Sequence, residues 1–221
     1  MSEVQICPSI LNADRTNLTS EISRISSDAD WLHLDVMDSK FVPAFTFDFQ
    51  ECSQIITNSS LPVDAHLMIV DPDELAVEYA GIGAKSVTFH LEASANPLET
   101  LKGIRKRGAR SAIAIKPATA VATLFDLLDY TDMFLIMTVE PGAGGQSFMS
   151  DMMPKVKALR ELISTHKGLQ WIQVDGGITL ETIGEARSAG ANAFVAGSAV
   201  FRSDDPGAMV RALRERALSA H

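Results

Sequence analysis

Histidine and aspartate residues alternate with aliphatic residues along two short segments of the sequence. In both segments every second position is polar or Met, in the orders His33, Asp35, Met37 and Asp64, His66, Met68. Every second side chain of a β-strand points to the same face, so each segment, folded as a strand, has one polar face and one aliphatic face. Buried imidazoles and carboxylates are costly unless they are paired or bind a metal ion. These residue types therefore indicate acid/base chemistry or metal binding.

A third carboxylate, Asp175, ends the apolar segment Trp171–Asp175. One divalent ion would offset the cost of burying these groups if it were held by His33, Asp35, His66 and Asp175. Mixed His/Asp ligation suits Zn, Fe, Mn or Co. A single buried His or Asp is more often a core polar group, but the joint pattern favours a metal site. Asp64, one layer deeper, is expected only to accept hydrogen bonds.

The elements that must position these residues alternate regularly along the chain. The predicted strands are Val4–Ile10, Trp31–Met37, Val63–Met68, Ser86–His90, Ser111–Lys116, Met133–Thr138, Trp171–Asp175 and Ala193–Gly197. The predicted helices are Asn17–Ser27, Phe49–Asn58, Pro72–Ala80, Pro97–Arg107, Val121–Leu128, Met153–Thr165, Leu180–Ala189 and Pro206–Leu218. Each predicted strand is followed by one predicted helix.

This alternation predicts an α/β protein in which parallel strands are joined by crossover helices. Eight such units favour a (β/α)8 TIM barrel, and 221 residues without a linker predict one domain over residues 1–221. An open doubly wound sheet is the alternative. Active sites of such barrels lie at the C-terminal ends of the strands, where the polar residues above fall.

Glycine-rich loops follow the last three predicted strands, and they contain Gly142, Gly144, Gly145, Gly176, Gly177, Gly197 and Ser198. Bare backbone amides can approach a ligand closely there, and the late loops of this barrel commonly bind phosphate. Met37, Met68 and Met137 fall at strand ends. Methionine at a strand end can fill the core, or it can form a dry wall around a reactive intermediate. The sequence does not favour one of these two roles over the other.

The overall composition argues against several classes of partner. A formal net charge of −9 and no basic run interleaved with aromatics argue against nucleic acid. No segment approaches the roughly 18 apolar residues of a membrane span. Cys7 and Cys52 lie apart, and no secretory leader precedes the first segment, so we expect a cytoplasmic protein. A homo-oligomer is compatible with a compact barrel, although no feature fixes a number of subunits.

The sequence resembles the ribulose-phosphate 3-epimerase family over nearly its whole length. The segments that carry the resemblance are Pro8–Leu11, His33–Asp38, Phe41–Pro43, Asp64–Met68, Thr88–Ala93, Met137–Gly142, Gly144–Phe148, Val174–Ile178 and Gly197–Phe201. The resemblance implies an isomerase of carbohydrate metabolism, in the pentose phosphate pathway, that interconverts D-ribulose 5-phosphate and D-xylulose 5-phosphate.

The resemblance also implies roles for individual residues. Asp35 and Asp175 would transfer protons at C3, through an enediolate stabilised by a divalent metal on His33, Asp35, His66 and Asp175. Ser9 would contact the reacting end of the substrate, and His66 would also contact the substrate. Inverting a carbon beside a carbonyl requires proton transfer on both faces, which two flanking carboxylates can perform.

Three positions depart from the pattern of the family. Ser39 stands where glycine is common, Ala44 where asparagine is common, and Ala143 where phenylalanine is common. None of these is a proposed metal ligand. Ala143 shortens a side chain expected to cover the site, and Ala44 removes a polar group from the loop after the second strand.

Other functions are compatible with part of the pattern. A 3-epimerase of a hexulose phosphate such as allulose 6-phosphate would use the same metal and carboxylates. A metal-free phosphate-barrel decarboxylase would carry Asp-x-Lys on the strand, but Met37 follows Asp35 at that spacing. A catalytically impaired phosphate-binding barrel ranks last, because four costly polar residues would then have no use.

Overall fold

A computed structural model of the protein describes residues 4–220. The predicted domain's residues 1–3 and 221 lie outside that range. Eight parallel strands form one sheet in the order β1-β8-β7-β6-β5-β4-β3-β2. The strands are β1 Gln5–Pro8, β2 Leu32–Met37, β3 Val63–Met68, β4 Ser86–His90, β5 Arg110–Ile115, β6 Met133–Met137, β7 Trp171–Asp175 and β8 Ala193–Ala196. The predicted strands are confirmed, with shifts at some ends.

Helices connect successive strands around the outside of this sheet. They are α1 Leu18–Ser23, α2 Phe49–Asn58, α3 Asp73–Gly81, α4 Pro97–Lys106, α5 Met153–Thr165, α6 Ile183–Ser188, α7 Ser198–Phe201 and α8 Pro206–Ser219. The α2 helix begins with a reciprocal capping box, in which the side chains of Asp48 and Glu51 each accept from the other residue's backbone amide.

One predicted α-helix is wrong in type. The segment predicted as Val121–Leu128 is a 3₁₀ helix over Val121–Tyr130. Leu124 and Leu127 are buried three residues apart, and the three-residue turn of a 3₁₀ helix places both on the inner face. The α1 and α6 helices are also shorter than predicted, and the short α7 was not predicted separately from the eighth strand's loop.

The sheet closes into a barrel where its first two strands meet. β1 and β2 form no continuous ladder, and a parallel bridge between Ser9 and His33 joins them. Every other neighbouring pair of strands is joined by a parallel ladder. The (β/α)8 architecture predicted from the sequence is therefore confirmed, and the open sheet is excluded.

The alternation along the strands sorts side chains between the barrel interior and the helices. Leu32, Leu34 and Val36 of β2 belong to the main hydrophobic core. In the interior, Gln173 of β7 donates to Asp64 of β3 at 2.9 Å. These strands are not neighbours, so this hydrogen bond crosses the barrel and shows that the polar faces point inwards.

Register then pairs the polar residues of β2 and β3 in successive layers. His33 lies opposite Asp64, Asp35 opposite His66, and Met37 opposite Met68. Polar groups thus fill the lower layers and methionines the layer nearest the C-terminal rim. Within residues 4–220, none of the helices combines the length and apolar character needed to cross a membrane.

Candidate active site

The four residues that the sequence nominated as metal ligands come together inside the barrel, on β2, β3 and β7. One ligand atom from each lies within 4.8 Å of the other three, and the group consists of His33, Asp35, His66 and Asp175. His33, Asp35 and His66 are buried, whereas Asp175 is partly exposed towards the mouth of the barrel. The group could hold a metal ion.

His33 turns one ring nitrogen towards the cluster and the other away from it. Nδ1 lies 3.0 Å from Oδ2 of Asp64. Nε2 faces Oδ1 of Asp35 at 3.4 Å and Oδ2 of Asp175 at 3.9 Å, without a hydrogen bond from any residue that the structure describes. A buried nitrogen between two carboxylates fits a nitrogen that donates its lone pair to a cation.

Asp64 supports this ring from the paired position on β3. It accepts hydrogen bonds from Gln173 and, at 3.3 Å, from the Thr88 hydroxyl. Burial alone would raise the pKa of Asp64, but its contacts with His33 and Gln173 outweigh burial and lower it. The expectation that Asp64 accepts hydrogen bonds one layer deeper is therefore confirmed, and the contact resembles the carboxylate–histidine pairs that orient metal ligands.

His66 is arranged in the same way but with different partners. Its Nδ1 lies 3.2 Å from Oδ1 of Asp35 and 3.6 Å from Oδ2 of Asp175. Its Nε2 lies 3.0 Å from Nε2 of His90, and the two rings are stacked with centroids 5.1 Å apart. In both histidines of the cluster, one ring nitrogen therefore faces the carboxylates and the other faces a supporting residue.

His90 and Glu92 are site residues to which the sequence analysis gave no role. Nδ1 of His90 lies 3.4 Å from Oε2 of Glu92, and Oε1 of Glu92 accepts from the Lys116 amide at 2.7 Å and from the Thr119 hydroxyl. The signal was present, since Thr88 and His90 continue the alternation on β4. On β4, however, this face carries a histidine without an aspartate. It therefore lacks the His/Asp pair that identified β2 and β3 as candidate site strands.

The surroundings favour a neutral His90 and an ionised Glu92. Burial lowers the pKa of His90 to about 4, against a smaller opposing effect of Glu92. Burial alone would raise the pKa of Glu92, but contacts with His90, Thr119 and the Lys116 amide outweigh it and hold the pKa at about 2. At neutral pH, Glu92 therefore only accepts hydrogen bonds.

The two carboxylates nominated for proton transfer have opposite electrostatic surroundings in the protein chain alone. Burial alone would raise the pKa of Asp35, but the neighbouring His33 and His66 lower it. Burial, followed by the charge of Asp35, raises the pKa of Asp175 to about 6. Neighbouring carboxylates with separated pKa values are typical of acid/base pairs.

A narrow cleft lies above the cluster and is lined by most of the predicted substrate contacts. These are Ser9, Met37, Met68, Met137, Gly142, Gly144, Gly145, Gly176, Gly177, Gly197 and Ser198, together with Asp35 and Asp175. The Ser9 hydroxyl donates to Oδ2 of Asp35 at 2.5 Å. His66, also nominated for substrate contact, is fully buried and does not line the cleft. Larger grooves elsewhere, such as that of about 450 Å³ beside α1 and α2, contain no comparable cluster among the described residues.

Asn12 joins two of the glycine loops, and the sequence analysis missed it. A Cβ atom added to Gly144 would lie 2.8 Å from Oδ1 of Asn12, and one added to Gly197 would lie 2.5 Å from the same atom. The Asn12 side chain thus occupies the space that larger residues would need in either loop. An asparagine in the first loop offered no pattern that could predict this contact.

The loop after β7 is pressed against the loop after β6. Gly177 has φ +66°, and a Cβ atom there would lie 2.4 Å from the backbone nitrogen of Phe148. Gln146 donates to the carbonyls of Glu140 and Ala143 at 2.7 and 2.8 Å and so braces the β6 loop. Glycine therefore permits both the backbone conformation and the close contact at this rim.

Comparison with known proteins agrees with this geometry. The model of the Ribulose-phosphate 3 epimerase family matches residues 5–201. Ribulose-phosphate 3-epimerase from Mycobacterium leprae is 45% identical over 96% of this chain and 94% of its own. The cytoplasmic isoform from Oryza sativa subsp. japonica is 40% identical over 96% of this chain and 93% of its own.

Solved structures extend the similarity in fold alone. The 3-hexulose-6-phosphate synthase from Salmonella typhimurium superposes with a TM-score of 0.68 at 18% identity, over 98% of this chain and 100% of that one. The match over residues 5–201 and the identities to curated relatives carry the assignment. The chain belongs to the Ribulose-phosphate 3 epimerase family, a family of isomerases.

Proposed function

We propose that this chain is a metal-dependent epimerase that interconverts D-ribulose 5-phosphate and D-xylulose 5-phosphate. The observation that carries the proposal is the buried cluster inside the barrel, in which ligand atoms of two histidines and two aspartates lie within 4.8 Å of one another. The family and the names of the curated relatives support the same reaction.

The cluster fits one divalent cation. Its donors are imidazole nitrogens and carboxylate oxygens, and Nε2 of His33 has no other partner within the described chain. We propose His33, Asp35, His66 and Asp175 as ligands of Zn, Fe, Mn or Co. When bound, the ion would supply electrostatic stabilisation for negative charge on the substrate oxygens.

Asp35 and Asp175 are proposed to move the proton at C3. Each carboxylate would remove the proton in one direction of the reaction and return one in the other, from opposite faces of the carbon. In the protein chain alone, the raised pKa of Asp175, about 6, is the closer of the two to neutral pH. The Ser9 hydroxyl, bonded to Asp35, would orient that carboxylate and the reacting end of the substrate.

The remaining lining residues are proposed to bind and enclose the substrate. His66 does not line the cleft, so its proposed effect on the substrate would be indirect, through the ion that it helps to hold. The buried methionines Met37, Met68 and Met137 would exclude water from the space between the cluster and the cleft. Backbone amides of the glycine loops would bind the phosphate, from Gly142, Gly144, Gly145, Gly176, Gly177, Gly197 and Ser198. These uncharged donors explain how a protein of net charge −9 can bind an anion.

A hexulose phosphate such as allulose 6-phosphate is the second candidate substrate. Ala143 is exposed in the β6 loop and lines the cleft, where the family commonly has phenylalanine. The smaller side chain leaves room for a longer sugar phosphate. Initial rates on both phosphates, compared as kcat/KM, distinguish the two substrates.

The curated relatives also suggest a cellular setting for this chain. We propose a cytoplasmic enzyme of the pentose phosphate pathway, because a curated relative is named a cytoplasmic isoform. We also propose that residues 1–221 act as one barrel domain, since the described residues form one eight-stranded sheet.

The test is incubation of the metal-loaded protein with D-ribulose 5-phosphate in deuterated water. We expect D-xylulose 5-phosphate with deuterium at C3, and loss of both product and label in Asp35→Asn and Asp175→Asn. The substitution Asp126→Asn, at an exposed position of the 3₁₀ helix, serves as the matched control and should retain full activity. Absence of product and of exchange in the metal-loaded protein would refute the proposal for this substrate.

A further inference from the structure

The two histidines of the cluster are supported in different ways. The nitrogen of His33 that faces away from the cluster, Nδ1, lies 3.0 Å from the carboxylate of Asp64, which can accept a hydrogen bond from it. The outer nitrogen of His66 instead faces another imidazole nitrogen, Nε2 of His90, at 3.0 Å. A neutral imidazole can donate or accept at either nitrogen, so His90 by itself does not fix the direction of this hydrogen bond.

The direction matters for the nitrogen that faces the carboxylates. Two imidazole nitrogens 3.0 Å apart need one proton between them. If Nε2 of His66 donates to His90, the Nδ1 of neutral His66 keeps a free lone pair towards Asp35 and Asp175. If His90 donates instead, the proton of His66 moves to Nδ1, and that nitrogen cannot bind a cation.

Glu92 resolves the choice through the far side of His90. Its Oε1 accepts from the Lys116 amide and the Thr119 hydroxyl, which fixes the carboxylate at the end of β5. Its Oε2 lies 3.4 Å from Nδ1 of His90, a buried nitrogen without another partner in the described part of the chain. A carboxylate only accepts, so the proton of His90 belongs on Nδ1.

We propose that Glu92 and His90 are positioning residues that fix the tautomer of His66. Nδ1–H of His90 points to Glu92, Nε2 of His90 accepts from Nε2–H of His66, and the Nδ1 lone pair of His66 points into the cluster. The inference rests on the proposed function for its consequence, because it makes His66 a prepared nitrogen ligand. The proton of His90 on Nδ1, which faces Glu92, is the part of this order that needs no metal.

The substitution Glu92→Gln reverses this order without changing the size of the side chain. The Lys116 amide requires an acceptor, so the new amide oxygen stays in the place of Oε1. The amide NH₂ group then faces Nδ1 of His90 and donates to it. His90 therefore carries its proton on Nε2, directed at His66, and the lone pair of His66 is turned away from the cluster.

Two matched variants separate this effect from a loss of structure. Glu99→Gln makes the same chemical change at an α4 side chain that is 71% exposed and pairs with Lys102. Thr119→Val removes one donor to Glu92 but leaves the carboxylate and the Lys116 amide in place. A structural effect alone would appear in Thr119→Val as well as in Glu92→Gln, whereas the tautomer effect appears in Glu92→Gln alone.

The first measurement is ¹⁵N NMR of the histidine ring nitrogens in the metal-free proteins. We expect His90 to be protonated at Nδ1 in the wild type, Glu99→Gln and Thr119→Val, and at Nε2 in Glu92→Gln. Identical His90 tautomers in Glu92→Gln and the wild type would overturn the proposal, whether or not the protein is an epimerase.

The second measurement is the affinity for Co²⁺, determined by competition with a chelator. Glu92→Gln should bind Co²⁺ about 10–100-fold more weakly than the wild type, as is typical when a residue supporting a metal ligand is changed. Glu99→Gln should bind Co²⁺ as the wild type does, and Thr119→Val, which keeps the Glu92 carboxylate, should bind Co²⁺ more tightly than Glu92→Gln. Failure of the wild type to bind Co²⁺ would contradict the proposed metal site, and unchanged affinity in Glu92→Gln would contradict the positioning role.

Discussion

At the scale of single residues, a few side chains fix the local geometry around the cluster. Asp38, at the end of β2, shows how: its Oδ1 accepts from the amides of Lys40 and Phe41, and its Oδ2 accepts from the Val70 amide at 2.9 Å. This carboxylate ties the β2 loop to the loop after β3. The turn that it stabilises places Ser39 in a left-handed conformation with φ +58°.

Ser39 therefore carries backbone strain that a glycine would not have. We expect Ser39→Gly to raise the free energy of unfolding by about 0.5–1 kcal/mol, since the relief of the left-handed conformation exceeds the entropy cost of glycine. Ser39→Val should lower it by about 1–2 kcal/mol, because a branched side chain tolerates positive φ poorly. Urea unfolding of the three proteins checks the order, and a valine variant as stable as the glycine variant would contradict it.

At the scale of elements, loops and helix ends hold the rim together. The loops after β6 and β7 touch at Gly177, and α3 is tied to the start of α4 through Asp73. Neither contact involves a proposed metal ligand. Both decide how firmly the loops above the cluster are held.

Gly177 offers a test of the contact between the two loops. Gly177→Ala should lower stability and raise KM for the sugar phosphate at least about 10-fold, because the added Cβ meets Phe148 and displaces the phosphate loop. Gly108→Ala is the matched control, since Gly108 has φ +82° and nothing within 4 Å of the added Cβ. The control should lose about 1 kcal/mol of stability from backbone strain and retain its KM. Equal KM values in the two variants would rule out the loop contact as the cause.

Asp73 gives a pH-dependent test at the start of α3. Its carboxylate accepts from the hydroxyls of Ser94 and Thr100 and from the amides of Ala95 and Asn96. Burial alone would raise the pKa of Asp73, but these bonds outweigh it and lower it. The carboxylate therefore adds stability above the unfolded pKa of about 3.9, and this is lost as the pH falls through the folded value.

We expect Asp73→Asn to cost about 1–2 kcal/mol at pH 7, as for other hydrogen bonds to a charged group. The difference from the wild type should shrink as the pH falls below about 4, where Asp73 of the unfolded chain becomes protonated, and should be lost below the lowered pKa of the folded state. Urea unfolding at both pH values measures it, with the exposed Asp126→Asn as control. A difference that stays constant with pH would show that the charge of Asp73 plays no part.

At the scale of the whole molecule, the cluster joins parts of the barrel that are distant in the sequence. Its residues come from β2, β3 and β7, and His33 also forms the bridge to Ser9 at the point where the barrel closes. Asp64 and Gln173 connect β3 to β7 one layer below. A ligand bound to the cluster would therefore stabilise the closed barrel rather than a single loop.

Metal binding should accordingly stabilise the folded protein. At a Co²⁺ concentration about 1,000 times Kd, the free energy of unfolding should rise by about 4 kcal/mol, and removal by a chelator should reverse the rise. Thermal unfolding with and without Co²⁺ measures the effect, and Asp175→Asn, which lacks one proposed ligand, should respond less. A wild-type Tm that Co²⁺ leaves unchanged would contradict a metal site in the barrel.

The sequence by itself determined the strands, the alternation of elements and the main candidate ligands. Local patterns were sufficient for these, because a period of two specifies which face His33 and Asp35 share, and glycine specifies where a loop can approach a ligand. The 3₁₀ helix over Val121–Tyr130 was not predicted, because three-residue and four-residue spacings of leucine overlap in one short segment.

Only the tertiary structure decided which of these residues meet. Barrel closure brings Asp175 to His33 across 142 positions of sequence, and the pairing of β3 with β4 brings His90 to His66. Asn12 meets Gly144 and Gly197 for the same reason. Local periodicity fixes the direction of a side chain relative to its own strand, whereas the partner that it meets depends on the order and stagger of all eight strands.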